Sequence, residues 1–258
     1  MGAVISTSKT ILITGAGSGI GKETALRLQS RGHHVIATTH HEKQSQELQA
    51  LSIESFVLDI TKQKDREKVR NLDIDVLINC AGMGETGSLA EVAIDKIKDN
   101  FEVNVFSTFA ITQEVLKRMV PKKQGTIVFI SSLLGRTTSP FFGPYSMSKH
   151  AVSSGAKMLS QELHLLSKDL HVALVEPGAY HTGFNQKMME KKFVWMGEHS
   201  YFSHLKAKLK RDEERRFHLV EVASVAGIVD VIIKVVESDH PHFRSSAPWW
   251  QSLFTLLS

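Results

Sequence analysis

The sequence predicts an α/β fold: a doubly wound parallel sheet with helices on both faces. Three observations carry that expectation. Short β-branched apolar runs recur along the chain, stretches with helical spacing separate them, and a glycine-rich turn joins the first strand to the first helix. Strands alternating with helices need crossover connections, which gives a parallel sheet covered on both sides.

Residues 10–14 (TILIT) read as a buried strand, and the turn at residues 15–21 follows. Ile20, Thr24, Ala25 and Leu28 then recur at helical spacing, and the helix stops near Gly32. Residues 35–39 make a second strand and close a βαβ unit. Residues 56–58 and 76–78 are the third and fourth strands. A helical stretch spans about residues 90–120, with a break or bend near Asn100 and Phe101. Residues 126–131 form a fifth strand, 145–166 a long helix, 172–175 a sixth strand and 222–236 another helix. No repeat, low-complexity tract or linker interrupts the pattern, so residues 1–258 are expected to form one domain.

Two regions break the rhythm. Residues 181–218 are rich in Met, Phe, Trp and Tyr and end strongly basic (KLKRDEERR). They follow the sixth strand, on the side where open α/β sheets bind ligands. They are expected to form a mobile lid over a hydrophobic substrate, the alternative being a solvated helical insertion. The tail Pro248-Trp249-Trp250-Gln251-Ser252-Leu253-Phe254 is amphipathic and is expected to pack on its own chain or a partner subunit.

Hydrophobic residues make up 42% and charged residues 22%, ordinary for a globular chain with a buried core. A net charge of +4 is too small to argue for nucleic acid and suits an anionic ligand. Cys80 is the one cysteine, so no internal disulfide forms and a cytoplasmic setting is expected; the thiol reads as a packing residue. The histidines are scattered without metal-ligand spacing, so no metal is expected. No apolar run reaches a membrane-spanning length, and no signal peptide is evident. Gly2 and Ser6 fit a loose myristoylation pattern, but the first strand begins only a few residues later.

Thr14-Gly15-Ala16-Gly17-Ser18-Gly19-Ile20-Gly21 lies between a strand and a helix. Glycines there let the backbone approach a pyrophosphate, and the helix start offers unpaired N–H groups and a positive dipole end. Residues 16–22 also imitate a phosphate loop ending in Gly-Lys. The next residue, Glu23, cannot replace the Mg²⁺-binding Ser or Thr and would repel phosphate.

From Thr14 to Gly21 onward the chain resembles the short-chain dehydrogenase/reductase family. Asn79-Cys80-Ala81-Gly82 resembles its N-N-A-G, Asn104 in FEVNVFST its helix asparagine, and Ile130-Ser131-Ser132 its serine-bearing strand end. Tyr145-Ser146-Met147-Ser148-Lys149 is the family's Y-x-x-x-K, and Pro177, Gly178 and Thr182 match its P-G-x-x-x-T. Ser132 precedes Tyr145 by thirteen positions, and order and spacing together make the match specific. GMGETGSLAE and EPGAYHTGF further resemble the 17β-hydroxysteroid and retinol dehydrogenase branch. Cys80 departs from the second Asn, and Tyr180 stands where an aliphatic residue is usual. The stretch from Asp59 to Asp75 is short for the family, leaving a turn or two of helix.

The resemblance implies a Rossmann-type three-layer fold and an NAD(P)-dependent oxidoreductase acting on a carbonyl or alcohol. Reduction needs a hydride at carbon and a proton at oxygen, and the nicotinamide supplies the hydride. Tyr145 and Lys149 share a helix face, and a nearby ammonium should pull the phenol toward operating pH. Ser132 would hold the substrate oxygen, Asn104 a water that relays protons to Lys149, and Lys149 also the cofactor ribose. Gly15, Ser18, Gly19, Ile20 and Gly21 would cradle the pyrophosphate. Asp59 would meet the adenine, and Asn79, Ala81, Gly82, Pro177, Gly178 and Thr182 would complete the cofactor site. No acidic residue occurs from Ala37 to His41, where NAD enzymes place one after the second strand, and His40, His41 and Lys43 follow Thr39. That favours NADP over NAD. The expected protein is thus an NADP-preferring carbonyl reductase for a small hydrophobic substrate, forming a homodimer or homotetramer. The alternatives are a non-catalytic dinucleotide sensor or scaffold, which would require loss of the Tyr or Lys, and epimerisation or dehydration on the same fold.

Overall fold

The computed structural model describes residues 8–253; Gly2, Ser6 and Phe254 lie outside them. Strand β1 (Thr10–Thr14) leads through the glycine turn into α1 (Gly19–Ser30), then β2 (His34–Thr39), α2 (Glu42–Ala50) and β3 (Glu54–Val57). The short α3 (Gln63–Glu67) precedes β4 (Val76–Asn79) and α4 (Ile94–Phe101). A π-helical turn (Glu102–Ser107) joins α4 to α5 (Thr108–Lys122), and β5 (Gly125–Ile130), α6 (Gly143–Leu166) and β6 (Leu170–Pro177) follow. Then come α7 (Phe184–Lys191), α8 (Lys206–Val220), α9 (Ala226–Glu237), β7 (Arg244–Ala247) and α10 (Trp249–Ser252).

The strands form one sheet in the order β3-β2-β1-β4-β5-β6-β7, and every neighbouring pair is parallel. Alternation within a strand sends successive side chains to opposite faces. Ile11 and Ile13 of β1 join a core with Leu28 of α1 and Ile232 of α9, whereas Leu12 joins the other core with Val115 of α5 and Val152 of α6. Two apolar layers on one sheet are the doubly wound arrangement the sequence predicted.

The departures have physical causes. The break expected near Asn100 is a π-helical turn starting at Glu102, so the helix is widened there and not ended. The last long helix starts at Ala226, later than expected, because Val222 pairs with Tyr180 through Ala179 O and His181 N. The strand β7 was not foreseen. Its sequence, RSSA, is short and polar, and it becomes a strand by pairing with Leu174–Pro177 of β6.

Candidate active site

A cavity of about 770 Å³ opens beyond the carboxyl ends of β1, β4, β5 and β6. Open parallel sheets of this winding bind ligands there. Its floor is the glycine turn. Gly15 has φ +68° and lies so near the end of β4 that a Cβ would come within 2.6 Å of Ala81 Cα. The hydroxyl of Thr14 accepts the N–H groups of Cys80 and Ala81, each at 3.1 Å, and so fastens the turn to β4. Ser18 caps α1 without a side-chain bond, and no acidic side chain lies in the first turn. The N–H groups at the helix start thus have no side-chain acceptor of their own, and the dipole leaves that end positive.

Tyr145 and Lys149 stand in the first two turns of α6, and both line the cavity. Tyr145 packs with Phe142 and Met188, and its ring centre lies 5.8 Å from that of Phe184. Lys149 is buried; its Nζ donates to Ile130 O at 2.8 Å and stands 5.7 Å from the Tyr145 ring centre. Ser132, just past β5, accepts Leu134 N–H at 3.2 Å and hydrogen-bonds toward Tyr145. The expected lowering of the phenol does not occur in this structure. Burial pushes Tyr145 up to about 12, more than the Ser132 hydrogen bond lowers it. Burial also brings Lys149 down to about 8.

Two anticipated residues do not reach the cavity wall. Asn79 is buried and donates to Thr112 Oγ1 at 2.9 Å, pinning β4 to α5. Asn104, on the π-helical turn, accepts Met83 N–H at 2.8 Å and donates to Met83 O and Ser148 Oγ, each at 2.9 Å. It meets Lys149 only across Gly82: a Cβ there would lie 3.2 Å from Asn104 Oδ1 and 3.9 Å from Lys149 Nζ. The cavity does receive Gly15, Ser18, Gly19, Ile20, Gly21, His40, Asp59, Ala81, Gly82, Ser132, Pro177, Gly178 and Thr182. Cys80 lines it too and is half-buried, so it is a wall residue as well as packing; burial lifts its thiol to about 11.

Beyond β2 the wall is His40, His41 and Gln44, whereas Glu42 and Lys43 stay outside it. Thr39 Oγ1 is spent on His41 O at 3.0 Å. Asp59 accepts Thr61 N–H and Oγ1–H at 3.0 and 2.7 Å. Among the described residues no cluster could hold a metal ion.

The opposite wall comes from residues 177–220. Glu176, fully buried ahead of Pro177, faces Arg136 at 2.9 Å and Arg244 at 3.5 Å, and burial raises its carboxyl despite both cations. Tyr180 reaches the cavity edge, but its side chain belongs to the core beside α9. Phe184, Met188, Met189, Phe217 and Val220 supply an apolar face. Sequence reading missed Gln44, Glu213 and Gln251 as wall residues. Gln251 is the least expected: its Oε1 accepts Ala179 N–H at 2.8 Å and its Nε2 donates to Val220 O at 2.6 Å. The amphipathic tail was its only signal.

The short chain dehydrogenase family model matches residues 9–192. A 3-ketodihydrosphingosine reductase of Bacteroides thetaiotaomicron is 32% identical over 253 residues, covering 95% of this chain and 90% of that protein. The human retinol dehydrogenase 8 is 28% identical over 251 residues, covering 92% of this chain and 80% of its own length. Among solved structures, a variant actinorhodin polyketide ketoreductase with NADPH is 27% identical with a TM-score of 0.77, covering 94% of this chain and 96% of that one.

Proposed function

The chain belongs to the short-chain dehydrogenase family, and from that premise we propose that it is an NADP-preferring reductase of a carbonyl on a hydrophobic small molecule. One observation carries the reading: Tyr145, Lys149 and Ser132 meet on the wall of a cavity whose floor is the glycine turn. The residues present fit a dinucleotide. The turn at Gly15 has no room for a side chain, and the start of α1 has no acidic side chain of its own.

Gly15, Ser18, Gly19, Ile20 and Gly21 would hold the pyrophosphate, and His40, His41 and Gln44 the 2′-phosphate side, with Asp59 near the adenine. Ala81, Gly82, Pro177, Gly178 and Thr182 would border the nicotinamide ribose and ring. The bound nicotinamide supplies hydride. Ser132 orients the substrate oxygen, and the Tyr145 hydroxyl gives it a proton. A phenol held near 12 stays protonated at neutral pH, which suits a proton donor. The Lys149 ammonium stabilises the phenolate that results. Asn104, already bound to Ser148 and Met83, orders the polar side of that site.

The absence of a carboxylate on the wall beyond β2, and the NADPH held by the similar ketoreductase, support NADP. The apolar faces of α7 and α8 support a hydrophobic substrate and a lid role for these helices. Exposed Met158, Leu165 and Leu166 on α6 support self-association into a homodimer or homotetramer.

The test is a fluorescence titration with NADPH and, separately, NADH, followed by NADPH oxidation against a panel of long-chain and cyclic ketones. The reading expects tighter NADPH binding and turnover of apolar ketones. Binding of neither nucleotide would overturn it; tighter NADH binding would overturn the NADP preference alone.

A further inference from the structure

The helix α8 places Glu213, Phe217 and Val220 on the cavity wall. Their i, i+4, i+7 spacing puts them on one helix face. Two of the three are apolar, like Phe184, Met188 and Met189 across the cavity. Glu213 is a carboxylate, and among the described wall residues the other carboxylate is Asp59, which follows β3.

Glu213 is not a solvated surface charge. Its Oε1 lies 3.0 Å from Lys192 Nζ, and the Lys192 side chain is only 1% exposed. The same ammonium stands 3.9 Å from the Phe142 ring centre, and Phe142 packs on Tyr145 and Met188. The pair thus sits beside the ring that backs the proposed proton donor. Taking an ammonium out of water is costly, and the Glu213 carboxylate and the Phe142 ring face both offset that cost. Two well-packed apolar side chains would hold α7 to α8 as well or better. A carboxylate on an otherwise apolar face of α8, paired with a buried ammonium, therefore points to a role beyond joining the helices.

We propose that Glu213 is a polar subsite that accepts a hydrogen bond from a neutral donor, a hydroxyl group, on an otherwise apolar substrate. An ionised carboxylate offers about four lone-pair sites, so Lys192 leaves acceptor capacity unused. Lys192 stands 3.0 Å from one carboxylate oxygen, and its positive charge opposes a second cation there. A hydroxyl meets that field without adding net charge and gains a charge-assisted bond to a partly buried carboxylate. The substrate class is then a hydroxylated lipid-like ketone or its alcohol. The inference rests on the reading that this cavity takes a hydrophobic substrate.

The experiment is calorimetric titration of the full chain with decan-1-ol, its donor-free analogue 1-methoxydecane, and decylamine, each with and without NADPH. The wild type is expected to bind decan-1-ol about tenfold more tightly than the ether, the scale of one hydrogen bond to a charged group. The double variant Lys192→Met with Glu213→Leu replaces the pair by apolar side chains and is expected to bind alcohol and ether alike. Glu213→Gln, a second route should the double variant fail to fold, is expected to narrow the gap. An alcohol preference absent from the wild type, or surviving in both variants, overturns the proposal, and so does decylamine binding more tightly than decan-1-ol. Failure of the wild type to bind either NADPH or NADH counts against the function reading instead, because the nucleotide-free titrations still decide the subsite.

Discussion

Gln251→Leu isolates the contribution of the last helix to the site. The side chain is 5% exposed, and leucine fills similar volume, so the change removes hydrogen bonds and opens no large cavity. Two bonds go: Ala179 N–H to Oε1 and Nε2–H to Val220 O. Each orphaned backbone group costs about 1–3 kcal/mol when buried. Both are only half-buried, so water recovers part of the loss and the expected cost is about 2–3 kcal/mol. At this chain length each kcal/mol moves Tm by roughly 2–4 °C, which gives a fall of roughly 4–12 °C. Circular dichroism melts measure it. Ala179 lies between Gly178 and Tyr180 in the loop assigned to the nicotinamide, so NADPH affinity should fall with it. Gln251→Glu retains the acceptor for Ala179 and should keep more affinity than Gln251→Leu. A Gln251→Leu protein with Tm lowered by less than about 2 °C and NADPH affinity unchanged would refute the argument that this amide joins the two segments.

Tyr145→Phe should lower kcat by about 10²–10⁴-fold while NADPH still binds, the loss expected when a proton donor is removed; an active variant would refute its role. Lys149, brought by burial to about 8, should lose its charge as pH rises through that value, while Tyr145 near 12 stays protonated. A pH profile of kcat/KM for reduction should therefore fall above about 8, and a profile flat to pH ~10, the range of an ordinary lysine, would refute the assignment. Arg136→Ala leaves the buried Glu176 carboxylate facing Arg244 alone and should cost about 3–5 kcal/mol in urea unfolding. Hydrogen bonds from Arg70 and Lys117 hold the Glu114 carboxyl down at about 2, against 4.5 when free. The folded value is the lower one, so the stabilisation is present above 4.5 and is lost as pH falls toward about 2. Glu114→Gln should flatten that part of the acid-stability curve.

What the sequence made legible was local. The glycine turn, the Tyr145–Lys149 spacing and the β-branched runs are patterns within a few residues, and backbone geometry alone gives them meaning. The short α3 and the interruption after Asn100 were likewise visible as a deficit of length and a change of period. What was hidden depends on partners far along the chain. RSSA becomes β7 only beside β6, and Gln251 reaches a backbone 72 residues away. Glu213 lay in a strongly charged stretch that reads as a solvated face until Lys192 is seen beneath it. Asn79 and Asn104 show the converse. Their motifs were recognised, but the partners that hold their amides, Thr112 for Asn79 and Met83 and Ser148 for Asn104, were not.

The contact between Gly15 and Ala81 also bears on the order of folding. β1 pairs on one side with β2, close in sequence, and on the other with β4, whose Val76 faces Ile11 across 65 positions. The glycine turn is braced by Thr14 against Cys80 and Ala81, so its shape is complete only once that distant strand has docked. Pairings of high sequence separation form slowly because loop closure precedes the reward. In a refolding experiment the recovery of NADPH fluorescence should therefore lag behind the recovery of helix content.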